Sequence, residues 1–204
     1  MTDRNLYTAK ARTSYPVQWI IVETASAHYC DEADVYIHER VKSQSVVSHN
    51  RAFKACNTDL VAYLANDVEV CDGWLEKMVE CFEKLPDCGI ASLGNSEHRD
   101  VIRDEIVEGF YFSIALLRRE DAWYTTDYVS NFLDTDLAFR VHLQGKRFYK
   151  NLAGHVHHKP HTTVGKYSGD ITDYERCRQH FLDKYSAYAD DMWYKIFGGI
   201  ARVA

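Results

Sequence analysis

Apolar residues fall along this chain in short blocks, and their spacing alternates between continuous runs and a period near 3.6. Residues 17–23 (Val-Gln-Trp-Ile-Ile-Val-Glu) are nearly all apolar and rich in β-branched side chains. That is the pattern of a strand buried on both faces, as in a parallel sheet. Residues 34–38 give a second, shorter strand, and 43–56 read as a helix with Ser43 available as its cap. Residues 60–64 form another apolar run, ending at Ala65-Asn66-Asp67. Asp72 is placed to cap a helix whose apolar positions Trp74, Leu75, Met78, Val79, Phe82 and Leu85 keep helical spacing. Pro86-Asp87 breaks that helix, and 89–93 supply the next strand. This alternation predicts an α/β layered fold with a mostly parallel central sheet flanked by helices.

Beyond residue 100 the pattern is less regular. Residues 107–117 are apolar and aromatic and predict strands, 134–143 predict a helix stopped at Gly145, and 148–158 predict a strand that runs into histidines. From Thr172 the spacing of Tyr174, Cys177, Phe181, Tyr185 and Tyr188 predicts a C-terminal amphipathic helix. Thr172-Asp173-Tyr174-Glu175 has capping-box spacing at its start, and Gly198-Gly199 ends it. Residues 6–14 read as helical.

Composition narrows the classes. The 204 residues suit one domain, and 46% hydrophobic with 26% charged residues is ordinary for a water-soluble globular chain. No apolar run approaches the roughly 20 residues that span a bilayer, and residues 1–11 lack a signal-peptide core, so a cytoplasmic location is expected. Cys30, Cys56, Cys71, Cys81, Cys88 and Cys177 show no Cys-x-x-Cys pair and read as reduced thiols. The net charge of −6 argues against a generally basic nucleic-acid-binding surface.

Three clusters carry candidate chemistry. Asn66, Asp67 and Glu69 lie just past a buried strand, where ligands gather in parallel α/β sheets and where carboxylates hold hard cations. Asp67 as a simple turn residue is the competing reading. Asp134 and Asp136 open a helix that also carries Arg140. Residues two apart do not share a helix face, so one can face a cleft while the other caps the helix or pairs with Arg140. His155, His157, His158 and His161 form an imidazole-rich stretch suited to a transition metal, or a polar loop. On a strand His155 and His157 share one face and His158 takes the other. No Gly-x-Gly-x-x-Gly, phosphate-binding Gly-Lys-Ser/Thr loop or Gly-x-Ser-x-Gly elbow is present, so a bound diphosphate needs another source of positive charge.

Asn50-Arg51-Ala52-Phe53, the run 59–64, Asn66-Asp67-Val68-Glu69-Val70 and Gly73-Trp74-Leu75 together resemble the core of glycosyltransferase family 2, which has the GT-A fold. Asp134-Thr135-Asp136-Leu137 with Arg140 and Gly145 resembles that family's acidic acceptor-side motif, and Val156-His157-His158 its metal-closing strand end. The resemblance covers about residues 17 to 165. It implies a single domain, 1–204, with a nucleotide-sugar-binding half at 17–100, an acceptor half at 101–165 and a helical tail at 166–204. The implied reaction is a metal-dependent, inverting transfer of a sugar from a nucleotide diphosphate to an acceptor hydroxyl.

The resemblance also implies residue roles. Asp67 falls on the last acid of the Asp-x-Asp-type motif, whose first acid is replaced here by Ala65. Asp134 falls on the general base, with Leu133 where a glutamate is usual. His158 falls on the metal-binding histidine, with His157 as the alternative register, and the metal is Mn²⁺ or Mg²⁺. Glu23, Asn50, Arg51, Asn66 and Glu69 fall on the donor side, and Asp136, Arg140 and Trp74 are acceptor-side or secondary candidates. Arg118, Arg119 and Lys159 are further candidates for charge beside the diphosphate. The family's usual first strand has no counterpart before Val17. The acceptor stays open among a saccharide, a protein side chain and a hydroxylated DNA base, the last requiring Arg99, Arg103, Lys146, Arg147 and Lys150 to converge. A non-catalytic relative that binds nucleotide or sugar, and a histidine-based metal module, are the alternative functions.

Overall fold

The computed structural model describes residues 3–24, 31–39, 44–65, 67–95, 100–111, 113–128, 131–158 and 171–199. Ser43, Cys30, Asn66, Arg99, Lys159 and His161 lie outside them. In chain order the elements are α1 (Asp3–Ala11), β1 (Ile20–Thr24), β2 (Val35–Glu39), α2 (Ser45–Ala55), β3 (Leu60–Leu64), β4 (Val68–Glu69) and α3 (Trp74–Lys84). They continue with β5 (Cys88–Asn95), β6 (Ile106–Glu108), β7 (Ile114–Arg118), α4 (Leu133–His142), β8 (Arg147–His158), α5 (Ile171–Lys184) and α6 (Met192–Phe197).

The strands form two sheets. β1 and β2 pair in parallel by themselves, and a six-stranded sheet runs β3-β7-β5-β8-β4, with β6 also on β8. The α/β layering matches the expectation. Its parallel character is carried by β1–β2 and by the long β5–β8 ladder, while β7, β6 and β4 enter antiparallel.

Alternate residues of the central strands feed two apolar cores on opposite sides of the large sheet. Val61 of β3, Ile90 of β5, Ala115 and Leu117 of β7 and Phe148 of β8 face one core, with Val46 and Phe53 of α2. Ala91 and Leu93, Ile114 and Leu116, and Val156 face the other, with Trp74, Leu75 and Met78 of α3. β5 is buried along its whole length because strands flank it on both edges and helices cover both faces. The first core is largely aromatic. Phe139 of α4 lies 4.7 Å from Tyr185 and 5.5 Å from Phe181 (ring centroids), and Phe148 lies 5.0 Å from Trp193 of α6.

Helix ends depart from the sequence reading. α3 is preceded by Gly73 in the left-handed region (φ 64°), so Asp72 is not its cap. α5 begins at Ile171, which puts Thr172 inside its first turn and not at the cap position. Among the described residues the helical tail is broken between α5 and α6, because Asp191 starts α6 afresh by accepting from the Trp193 and Tyr194 backbone N–H groups. Trp74, an acceptor-side candidate, is 1% exposed, and its indole N–H donates to the Ala9 carbonyl, so it seats α1 on the sheet.

Candidate active site

β3 delivers the chain to Asp67 at its carboxyl end. β4 then turns back onto the last residues of β8, placing Val68 opposite His158 and Glu69 opposite His157. Directly opposed residues of an antiparallel ladder share a face. His158 therefore lies on the inner side and His157 is exposed beside Glu69. His158 Nε2 lies 3.2 Å from Asp67 Oδ2, with side chains 17% and 21% exposed. The edge of the Tyr111 ring closes the inner side, its centroid 6.0 Å from that of His158.

The register of this strand end is set by an irregularity. The β5–β8 ladder runs to Leu93 opposite Asn151 and resumes at Gly94 opposite His155. The extra residues on β8 flip the face that the rest of the strand presents. Gly154 sits in the irregularity, where a Cβ would come within 2.7 Å of Leu93 Cδ2 and 2.8 Å of Lys77 Cδ.

One carboxylate oxygen and one imidazole nitrogen converging in a half-open position fit a divalent ion that keeps several waters or takes phosphate oxygens. Among the described residues no group of three histidine, cysteine, aspartate or glutamate side chains converges.

A cavity of about 410 Å³ holds the second acid. Asp134, half-buried in the first turn of α4, shares its wall with Ser45 and His49 of α2, Tyr63 and Ala65 at the end of β3, Ser113 and Tyr124. Burial pushes the Asp134 carboxyl above its ordinary range, opposed by the Thr135 N–H, which donates to Oδ1 at 2.8 Å, and by His49. Burial holds the His49 imidazole below its usual value, opposed by its 2.7 Å contact with the Ser45 carbonyl and by the charge of Asp134. Tyr63 is pushed up to about 12, by burial first and then by the negative charges of both Asp134 and Asp67. Its phenol therefore stays protonated. His49 and Tyr63 carry no motif of their own; the signal for His49 was its place directly before Asn50-Arg51.

The backbone entering α4 is strained. Phe132 precedes the helix at φ 65°, ψ 7°, a conformation costing a non-glycine residue about 1–3 kcal/mol. Its ring, 5.7 Å from Phe181 and 5.4 Å from Tyr174, locks that turn and with it the position of Asp134.

Other candidates sit elsewhere. Asp136 is fully buried: Oδ2 accepts from Arg140 Nε at 2.9 Å, and Oδ1 from Lys184 Nζ and the Tyr185 hydroxyl, each at 2.8 Å. This pair ties α5 to α4 and does not face the cavity. Asn50 is buried and clamps the Tyr124 backbone, donating to its carbonyl at 2.8 Å and accepting from its N–H at 2.9 Å. Arg51 is bound to the buried Glu39 carboxylate. Glu23 is the penultimate residue of β1, in register with His38. Arg118 pairs with Leu60, so it and Arg119 lie at the end of β3 remote from Asp67. Arg103, Lys146, Arg147 and Lys150 are each paired with carboxylates, which leaves them no shared basic track.

No sequence-family model and no curated protein sequence matches the chain. Solved structures do. A crystal structure of GalNAc-T7 with UDP, GalNAc and Mn²⁺ aligns at a TM-score of 0.61 and 10% identity over 76% of this chain. The mannosyltransferase PcManGT from Pyrobaculum calidifontis, in complex with GDP-Man and Mn²⁺, aligns at 0.63 and 14% identity over 93% of this chain. This chain spans 40% of the first and 60% of the second. At such identities the likeness is one of architecture, and the architecture is the GT-A fold of glycosyltransferases.

Proposed function

We propose that this chain carries the donor and catalytic site of a metal-dependent glycosyltransferase, moving a sugar from a nucleoside diphosphate to an acceptor hydroxyl with inversion. The observation that carries the reading is the meeting of Asp67 with His158 at the carboxyl end of β3, beside a cavity walled by Asp134. The two structural relatives were each solved with a nucleotide and Mn²⁺, which supports the same reading.

Asp67 and His158 would hold Mn²⁺ or Mg²⁺, which when bound supplies positive charge to the departing diphosphate. Asp134 takes the proton from the acceptor hydroxyl, whose oxygen forms the new bond to the anomeric carbon as the bond to the diphosphate oxygen breaks. A base with a raised pKa is better matched to that transfer, a role worth ~10²–10⁴ in rate. Tyr63, protonated on the wall it shares with Asp134, donates a hydrogen bond to a sugar or phosphate oxygen. Glu23, Asn66 and Glu69 belong to the donor side in this reading. A saccharide or protein acceptor fits the paired state of the surface cations better than DNA does.

Thermal unfolding with UDP, GDP, dTDP and CDP, each with and without Mn²⁺, tests the reading. A nucleotide at 100 times its Kd adds about 2.7 kcal/mol of stability. The expected result is a Mn²⁺-dependent shift with one nucleotide, abolished by Asp67→Ala. No shift with any of the four refutes the donor site. A shift with no loss of function in Asp134→Asn identifies a binding protein without turnover.

A further inference from the structure

Two sheet edges face one another across a gap. β1 pairs with β2 on one side and β3 pairs with β7 on one side, and among the described residues no ladder joins β1 to β3. A cleft of about 680 Å³ lies between them, lined by residues 17–22 on one wall and 58–65 on the other. Ala52 and Phe53 of α2 close it above, and Trp74, Leu75 and Val79 of α3 close it below. These helices lie on opposite faces of the sheet, because Phe53 shares a core with Val61 whereas Trp74 shares one with Leu60, Ala62 and Leu64. The cleft is thus a slot in the plane of the sheet. It has apolar side chains on both faces, and its long walls are the edge of β1 away from β2 and the edge of β3 away from β7, the edges on which a strand carries its N–H and C=O groups.

That combination specifies its occupant. Only an extended peptide offers alternating donors and acceptors along both of its edges while pointing apolar side chains up and down. A sugar or nucleotide has neither row, and Asp59 and Pro16, which line the slot, precede β3 and β1 and do not lie within them as the charges or proline of a solvated edge strand would. We infer that the slot between β1 and β3 accepts a β-strand of about five or six residues, apolar on both faces, from a separate polypeptide segment. This joins the two sheets into one. The slot stands apart from the transfer reaction but touches its site, since His49 lines both the slot and the Asp134 cavity.

The test is amide hydrogen exchange of the full chain, read by mass spectrometry at residues 20–24 and 60–64. The probe is a synthetic strand of alternating valine, isoleucine and threonine with a lysine at each end, added in trans or tethered to the amino terminus by a glycine–serine linker. A tether raises the effective concentration to about millimolar. In the free chain these segments exchange far faster than β5. The probe slows them at least about tenfold and raises the melting temperature, whereas a proline-interrupted version, lacking the N–H donors, does neither. Three results overturn the proposal: β1 and β3 protected in the free chain as strongly as β5, no protection from the tethered strand, or protection that grows with protein concentration alone. The last makes the occupant a second copy of this chain.

Discussion

Two aspartates two residues apart are predicted to answer the same substitution in opposite ways. Asp136 accepts from Arg140, Lys184 and Tyr185 at 2.8–2.9 Å and has no exposed surface. Removing one partner of a buried ion pair costs about 3–5 kcal/mol. The Arg140 and Lys184 side chains are 31% and 27% exposed, so water reaches both once their carboxylate is gone. The expected cost of Asp136→Asn therefore lies at the low end, about 3 kcal/mol. At about 2–4 °C per kcal/mol for a chain of this size, the melting temperature falls by about 6–12 °C.

Asp134→Asn behaves differently. Burial raises the Asp134 carboxyl above its unfolded value, so the folded state binds the extra proton between the two values. Stability then falls as pH rises through that window, and the ionised carboxylate is a burden on the fold at neutral pH. Removing the charge stabilises the protein at pH 7, gives no gain below the ordinary aspartate range, and lowers transfer by ~10²–10⁴. Calorimetric melts of both variants between pH 4 and 8 decide the matter. The assignment fails if Asp136→Asn melts within about 2 °C of the parent, or if Asp134→Asn is less stable at pH 7 than at pH 4 relative to the parent.

Two further outcomes follow from the same geometry. His158→Ala abolishes the Mn²⁺-dependent part of the nucleotide-induced stabilisation, about 2.7 kcal/mol at 100 times Kd, while His157→Ala leaves it intact, as a Mn²⁺ titration followed by thermal melts will show. Gly154→Ala forces a Cβ against Leu93 and Lys77 and costs about 1–3 kcal/mol by denaturant unfolding, because Lys77 can move and Leu93 cannot.

The elements were legible where periodicity alone decides them: the apolar run at residues 60–64, the helix face of Trp74, Leu75 and Met78, and the long strand into the histidines. The Asp67 and His158 positions were legible through short motifs in order. Which of His157 and His158 lies against Asp67 was not, because it depends on an irregularity between Leu93 and Gly94 that flips the strand end without leaving a composition signal. Nor was the burial of Asp136, since a charge in a first helical turn is ordinarily solvated and its partners Lys184 and Tyr185 come from a distant helix. Gly73 displaced Asp72 at the start of α3 by taking a left-handed conformation open to glycine. His49 and Tyr63 became site residues only when α2 and β3 closed around Asp134.

β8 joins the aromatic core at Phe148 to the acidic turn at His158 through one continuous backbone. Its ladder to β5 and its pairing with β4 link segments far apart in sequence, which is the slow kind of contact to form because a long loop must close first. During synthesis Asp67 emerges well before the strand that completes its pair. A nascent or misfolded chain therefore holds Asp67 without His158, and the pair forms only in chains whose long strand β8 has docked.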